Sequence, residues 1–181
     1  MADYIFLIGP GGAGKSTVGK ILSATLGYNL IDLDDEFCER IMNIRDYIHS
    51  YGYGSYLEKN SALLEGLLNQ RSGDNILFIL SSGFLSTDIR SDIVDHNRKL
   101  INTRGFSVLL MPSRHYEEAL ECIMDRQLNR GFSLVREREK EKFCLRFREY
   151  LDMGNLKIFS MEAPESIAYE IANQLGQRSA Y

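Results

Sequence analysis

Short apolar runs alternate along the chain with stretches whose apolar residues recur every three or four positions. The runs predict β-strands at residues 4–8, 29–33, 76–80, 106–111 and 157–159. The first, third and fourth runs are almost continuously apolar, which is typical of strands that are covered on both faces. The helical spacing predicts helices at residues 18–26, 37–48, 57–68, 89–101, 116–128 and 163–175.

Strands that alternate with helices predict a parallel sheet with helices on both faces. No stretch has the composition of a linker, so we expect a single domain over residues 1–181. Residues 129–149 carry many charges and few strong core positions. This stretch fits either a solvated helix or a mobile lid that carries arginines.

Composition narrows the class of protein. A chain of 181 residues with 44% hydrophobic content can bury a full-sized core, and its net charge of −4 argues against a nucleic-acid partner. Cys38, Cys122 and Cys144 lack metal-ligand spacing, so we expect reduced thiols in a cytoplasmic protein. No apolar stretch approaches the roughly 18 residues of a membrane span, and no basic leader precedes the first strand.

A glycine-rich segment follows the first predicted strand and precedes a helical pattern. Its spacing, Gly9-x4-Gly14-Lys15-Ser16, is that of a phosphate-binding loop, whose main-chain N–H groups cradle phosphate oxygens at a helix N-terminus. Lys15 is expected to reach the β- and γ-phosphates of ATP, and the Ser16 hydroxyl to ligate Mg²⁺. The expected nucleotide-binding residues are Gly11, Gly12, Ala13, Gly14, Lys15, Ser16 and Thr17.

The second predicted strand ends in the acidic segment LIDLDDEF. Alternation along a strand predicts that Asp32 and Asp34 point the same way, into the crevice at the carboxyl edge of the sheet. One carboxylate would hold Mg²⁺ through water, and the other would orient an attacking hydroxyl or accept its proton. The alternative is that these acids cap the next helix, with Asp35 capping it or facing solvent.

The segments GPGGAGKSTVGKIL and LGYNLIDLDDEF resemble the shikimate kinases, a branch of the P-loop small-molecule kinases. Arg146-Phe-Arg-Glu-Tyr150 resembles the arginine–tyrosine element that follows the family's lid, and Ser160–Pro164 is similar to its adenine-packing loop. The resemblance implies an α/β P-loop kinase fold, with a five-stranded parallel sheet of order 2-3-1-4-5 flanked by helices. It also implies substrate-binding helices at about 34–70 and a lid at about 127–137.

The resemblance also implies roles for individual residues. Lys15, Asp34 and a lid arginine would be catalytic, and Asp32 would hold Mg²⁺ together with Ser16. Arg130 is the preferred lid arginine because its surroundings, NRGFSL, most resemble the lid sequence. The remaining residues implied by the resemblance are Arg126 and Pro164 at the nucleotide, and Asp34, Gly83 and Arg146 at the acceptor. The arginines have an alternative reading as ordinary surface charges.

Three departures from the family's pattern cluster in the acceptor site. Tyr56-Leu57 stands where the family has Phe-Arg, Gly52-Tyr53 where it has Gly-Glu, and Ser82-Gly83-Phe84 where it has a glycine triplet. Loss of the arginine removes one charged donor to a substrate carboxylate, which costs on the order of 2–5 kcal/mol in a buried pair. Tyr53, Tyr56 and Phe84 either line an altered pocket or belong to the core.

Together these features predict ATP-dependent phosphorylation of a hydroxyl on a small metabolite, with an acceptor other than shikimate. The alternative is a catalytically inactive ATP-binding regulatory or partner protein, which the altered acceptor site suggests. A P-loop kinase of another branch fits the acidic pair and the adenine loop less well. The resemblance implies a monomer, and the charge and hydropathy of the chain predict no nucleic-acid or membrane partner.

Overall fold

Five parallel strands form one sheet in the computed structural model, which describes residues 3–70, 73–128 and 136–178. The strands are β1 (Tyr4–Ile8), β2 (Asn29–Asp32), β3 (Ile76–Ile79), β4 (Phe106–Met111) and β5 (Leu156–Phe159). Their order across the sheet is β2-β3-β1-β4-β5. The predicted order is confirmed, and each predicted strand agrees with the structure to within one residue at either end.

Helices cover both faces of the sheet. They are α1 (Lys15–Leu26), α2 (Leu33–Arg40), α3 (Ile44–Tyr51), α4 (Tyr53–Gln70), α5 (Ser91–Arg104), α6 (Tyr116–Leu128), α7 (Arg136–Leu151) and α8 (Pro164–Arg178). Within the described ranges, no helix is both long enough and apolar enough to cross a bilayer.

Alternate residues of the central strand supply two separate core clusters. Tyr4, Phe6 and Ile8 of β1 pack beneath α4, α5, α6 and α7, whereas Ile5 and Leu7 pack beneath α1 and α8. All five residues of β1 are buried, as the continuous apolar run predicts for a strand covered on both faces. The central strand therefore packs against both layers of helices.

The single helix predicted over residues 37–48 is wrong, because the structure has two helices there. α2 ends at Arg40, and the Asn43 side chain then accepts hydrogen bonds from the backbone N–H groups of Arg45 (2.9 Å) and Asp46 (3.4 Å). This N-cap begins α3 as a separate helix. The apolar spacing continues through the break because the rings of Phe37 and Tyr47 pack edge to face, 5.2 Å apart.

The second half of the charged stretch 129–149 lies in α7. The helix buries Phe143, Phe147 and Tyr150, which belong to the core cluster that includes α4, α5 and α6. The helix thus has few core positions, as predicted, but its buried aromatic residues are spaced by four and three positions and lie on one face. Residues 129–135, which include most of the expected lid, lie outside the described residues.

Replacing the helix cap tests the break between α2 and α3. We expect Asn43→Ala to lower the free energy of unfolding by about 1 kcal/mol, because two backbone N–H groups lose their acceptor. Asn43→Asp keeps a capping oxygen and should stay close to wild type. Urea denaturation followed by circular dichroism measures both variants. Equal stability of the alanine and aspartate variants would contradict the capping role.

Candidate active site

The segment between β1 and α1 forms a loop at the carboxyl edge of the sheet. Gly14, which immediately precedes α1, has φ 92°, a backbone conformation that residues with a Cβ rarely adopt. Glycine has no side chain, so α1 begins without a side-chain cap, and a helix N-terminus of this kind attracts anions. The loop therefore has the backbone geometry that phosphate binding requires.

The positive charge of Lys15 is held against this loop. Its Nζ donates hydrogen bonds to the carbonyl oxygens of Gly9 (2.8 Å) and Pro10 (3.0 Å), and the side chain is largely buried. An ammonium group has three N–H donors and turns readily about its stem, so the same group can donate to a phosphate oxygen beside the loop. The loop and Lys15 thus fit a nucleoside triphosphate.

Ser16 and Asp32 join the loop to the end of β2. The Ser16 hydroxyl donates to Asp32 Oδ2 over 3.1 Å. Burial, with the neighbouring charge of Asp34 adding to it, raises the pKa of Asp32. A cation beside this carboxylate would favour its charged form, and a hydroxyl with a carboxylate is a donor set suited to Mg²⁺ that also binds phosphates. These two residues therefore fit the expected metal.

Asp34 lies in α2, one residue beyond the predicted end of the strand, so strand alternation does not determine where its side chain points. β2 ends at Asp32, whose Oδ1 accepts a hydrogen bond from the Asp34 backbone N–H over 3.0 Å and so caps α2. Both acids nevertheless line the same cavity of about 190 Å³. The other lining residues are Gly11, Gly12, Gly14, Lys15, Ser16, Ile79, Leu80 and Ser82. Asp35 is exposed, so the capping role belongs to Asp32.

A buried hydrogen-bond chain holds the Asp34 carboxylate. The Ser81 hydroxyl donates to Asp34 Oδ1, and Asn60 Nδ2 donates to the Ser81 hydroxyl (3.0 Å) and to the Tyr56 hydroxyl (3.3 Å). Asn60 is fully buried on α4, and burial raises the pKa of Tyr56, which stays neutral. Sequence reasoning missed Ser81 and Asn60. The available signal was a polar residue at position 60 on the apolar face of a helix.

The end of α6 covers the loop from the other side. Arg126 Nη1 donates to the carbonyl oxygen of Gly12 over 3.3 Å. The neighbouring Gln127, which sequence reasoning also missed, lies so close that a Cβ added at Gly11 would be 2.6 Å from its Nε2 atom. Within the described residues, the buried Oε1 of Gln127 has no hydrogen-bond partner. Arg130, the expected lid arginine, lies outside the described residues.

Four of the predicted nucleotide-site residues are not among the cavity-lining residues. Arg126 is one of them, although it hydrogen-bonds to Gly12 of the loop. Ala13 is buried in the core cluster beneath α1 and α8. Thr17 is exposed in the first turn of α1, and Pro164 is the first residue of α8.

On the acceptor side, α7 is attached to the segment that follows β3. Arg146 Nη1 donates to Ser82 Oγ (3.2 Å), and Arg146 Nε donates to the carbonyl oxygen of Ser86 (3.3 Å). The Tyr150 hydroxyl donates to the carbonyl oxygen of Ser82 (2.9 Å). Gly83 lies between these contacts, and a Cβ there would be 3.0 Å from Arg146 Nη2. The structure thus brings the predicted residues Gly83 and Arg146 together.

The residues that depart from the family's pattern separate into two groups. Leu57 and Phe84 are fully buried, and Phe84 belongs to the core cluster beneath α4, α5, α6 and α7. Tyr56 is buried and contacts Asn60. Only Tyr53 reaches Gly83, where a Cβ would overlap its hydroxyl oxygen. Of the three aromatic residues considered for an altered pocket, Tyr53 is the one at the acceptor side.

A family model described as shikimate kinase matches residues 11–176 of the chain. The chain belongs to the shikimate kinase family. Among curated members, the shikimate kinase of Sulfurihydrogenibium sp. is 27% identical over 179 residues, which cover 96% of this chain and 98% of that protein. The match to the Eremothecium gossypii pentafunctional AROM polypeptide is 34% identical over 85 residues, which cover 46% of this chain and 5% of that protein. The match to shikimate kinase 2 of Yersinia pseudotuberculosis spans 62% of that enzyme.

Solved structures share the fold. The Acinetobacter baumannii shikimate kinase in complex with shikimate has a TM-score of 0.78 and 22% identity, and the alignment covers 98% of this chain and 95% of that one. The M. mycoides deoxyadenosine kinase with dCMP and dCDP has a TM-score of 0.67 and 16% identity, covering 96% and 99% of the two chains. The sheet is thus common to shikimate kinases and a nucleoside kinase.

Removing the loop lysine tests the nucleotide half of the site. We expect Lys15→Met to weaken ATP binding by at least about tenfold, because a charge-assisted hydrogen bond contributes roughly 1.5–3 kcal/mol. Lys20→Met, an exposed position later in the same helix, is the matched control and should bind ATP as the wild type does. Titration calorimetry measures both. Full affinity in Lys15→Met would contradict the role of the lysine.

Proposed function

We propose that the protein transfers the γ-phosphoryl group of ATP to a hydroxyl of a small metabolite other than shikimate. The observation that carries the proposal is the shared cavity, in which the phosphate loop and Asp34 face the same space. Membership of the shikimate kinase family supports a phosphotransferase. In this chemistry, positioning and electrostatic stabilisation supply most of the rate enhancement.

In this proposal the nucleotide half binds ATP with Mg²⁺. The loop N–H groups and Lys15 hold the phosphates, while Ser16 and Asp32 hold the metal, which neutralises charge on the phosphates. Arg126 lies beside the loop through its hydrogen bond to Gly12, so it is placed to contact the nucleotide. Arg130 is our candidate for the lid arginine, which would stabilise charge on the transferring group.

Asp34 orients the acceptor hydroxyl and accepts its proton. Its carboxylate is exposed to the cavity, while the Ser81 hydroxyl holds one of its oxygens. A carboxylate that is fixed at one oxygen keeps a single orientation toward an attacking hydroxyl, which reduces the ordering that the transition state requires.

The acceptor half carries the argument against shikimate. The Acinetobacter baumannii neighbour is described in complex with shikimate, whereas Leu57 here has no hydrogen-bond donor and is fully buried. Arg146 is the cation that remains on the acceptor side, next to Gly83. A single arginine binds one anionic group less tightly than a clamp of two. We therefore propose a small hydroxylated acceptor whose acidic group is weaker than the carboxylate of shikimate or differently placed.

An inactive nucleotide-binding protein is the second candidate. Its support is that the N–H groups of Arg146 already donate to Ser82 and Ser86, so acceptor-side donors are partly used within the protein. Calorimetry and an ADP-release assay with polyols, sugar acids and cyclitols separate the two candidates. ATP binding without turnover of any acceptor would favour the inactive protein.

Neutralising the candidate base tests the transfer step. We expect Asp34→Asn to lower kcat at least about 100-fold with little change in ATP affinity, because the proton acceptor is lost and the phosphate loop is intact. Asp35→Asn removes the adjacent, exposed carboxylate and should keep wild-type turnover. ADP release measures kcat, and calorimetry measures affinity. Turnover by Asp34→Asn at the wild-type rate would rule out the proposed role.

The hydrogen bond to Asp34 gives a further test. We expect Ser81→Ala to lower kcat about tenfold at an unchanged KM for ATP, since one hydrogen bond that positions the carboxylate is lost. Ser23→Ala removes another buried, hydrogen-bonded hydroxyl, on α1 away from the cavity, and controls for a general loss of stability. If both variants lost activity equally, Ser81 would have only a structural role.

A further inference from the structure

Tyr53, the first residue of α4, lies against the acceptor side of the site. Its side chain is half-buried, and its ring is 5.6 Å from the ring of Tyr56. Its hydroxyl contacts Gly83 so closely that a Cβ atom at that glycine would overlap it. While the phenol stays there, no ligand ring can lie on the surface of Gly83.

The guanidinium of Arg146 lies beside the same glycine, since a Cβ at Gly83 would be 3.0 Å from its Nη2 atom. The guanidinium has five N–H donors, and two of them donate to Ser82 and Ser86. Both acceptors are neutral, and within the described residues no carboxylate forms an ion pair with Arg146. Burial raises the pKa of Tyr53, so the hydroxyl keeps its proton.

The cavity at the phosphate loop ends before the phenol of Tyr53. The cavity at the phosphate loop reaches Ser82, to which Arg146 is hydrogen-bonded, but neither Tyr53 nor Gly83 is among its lining residues. An acceptor that places its hydroxyl at Asp34 therefore extends toward Ser82. Beyond that point it meets the O–H of Tyr53 and the unused N–H groups of Arg146.

We propose that Tyr53 determines acceptor specificity by covering Gly83, so that the site selects a short open-chain alcohol over a six-membered ring. The far end of this acceptor carries a group that accepts hydrogen bonds from Tyr53 and Arg146, such as a carboxylate or a hydroxyl. The inference rests on the proposed function and names the substrate class of the same site.

The experiment compares two substitutions of Tyr53 with a matched control. Tyr53→Ala removes the phenol, Tyr53→Phe removes only its hydroxyl, and Tyr169→Ala removes an exposed tyrosine on α8. The ring probe is shikimate, and the open-chain probes are glycerate and erythronate. ADP release gives kcat/KM for each probe, and calorimetry with ADP and Mg²⁺ gives its affinity.

We expect the wild type and Tyr169→Ala to prefer the open-chain acids. Tyr53→Ala should raise kcat/KM for shikimate relative to glycerate by at least about tenfold, because a hydrophobic pocket discriminates on size by roughly 10–200-fold. Tyr53→Phe keeps the ring that covers Gly83 and should still reject shikimate. It should bind glycerate about three- to tenfold more weakly, since one hydrogen-bond donor is lost.

Measuring binding and turnover separately distinguishes failure of this inference from failure of the proposed transfer reaction. If no variant turns over any probe but Tyr53→Ala gains shikimate affinity, the inference stands and the proposed transfer reaction fails. The inference is overturned if Tyr53→Ala binds both kinds of probe as the wild type does, or if the wild type already prefers shikimate. If Tyr53→Ala does not fold, as judged by circular dichroism, unchanged glycerate affinity in Tyr53→Phe overturns it, and weaker glycerate binding supports it.

Discussion

Parallel pairing of three neighbouring strands is the constraint on which the candidate active site depends. Leu7 of β1 and Asp32 of β2 both pair with Ile79 of β3, which lies between them. Because the strands run in one direction, the chain leaves all three at the same edge of the sheet. The phosphate loop, the start of α2 and the segment after β3 therefore converge without a long linker. Burial of apolar strands thus brings the lysine and the carboxylates to one cavity.

The sequence predicts the strands and the sheet order well, because continuous apolar burial leaves a strong local signal. It fails at residues 37–48, where two helices share one apolar surface through the contact between Phe37 and Tyr47. Apolar periodicity indicates which residues are buried. It does not indicate that Asn43 caps the start of a second helix. For the same reason the prediction extends strand alternation to Asp34, although the cap formed by Asp32 begins a helix before that residue.

The candidate active site also has one part that the sequence predicts and one part that it does not. Consecutive residues form the phosphate loop, so its spacing is visible in the sequence. Asn60, Ser81 and Asp34 are far apart along the chain, and only the packing of α4 against the end of β3 joins them. Gln127 is likewise distant in sequence from the loop, and its contact with the loop depends on where α6 ends. Single-sequence patterns contain no information about such contacts.

These two kinds of construction allow the acceptor site to change while the nucleotide site stays the same. Main-chain N–H groups bind phosphate whatever side chains surround them, so the nucleotide half requires only glycines, one lysine and one hydroxyl. The acceptor half consists of side chains from α4, α7 and the segment after β3. One substitution there, such as tyrosine at position 53, changes the shape of the site while Leu57 and Phe84 remain in the core. A change of acceptor therefore requires no change in the fold or in the phosphate loop, and low identity to shikimate kinases is compatible with an intact nucleotide site.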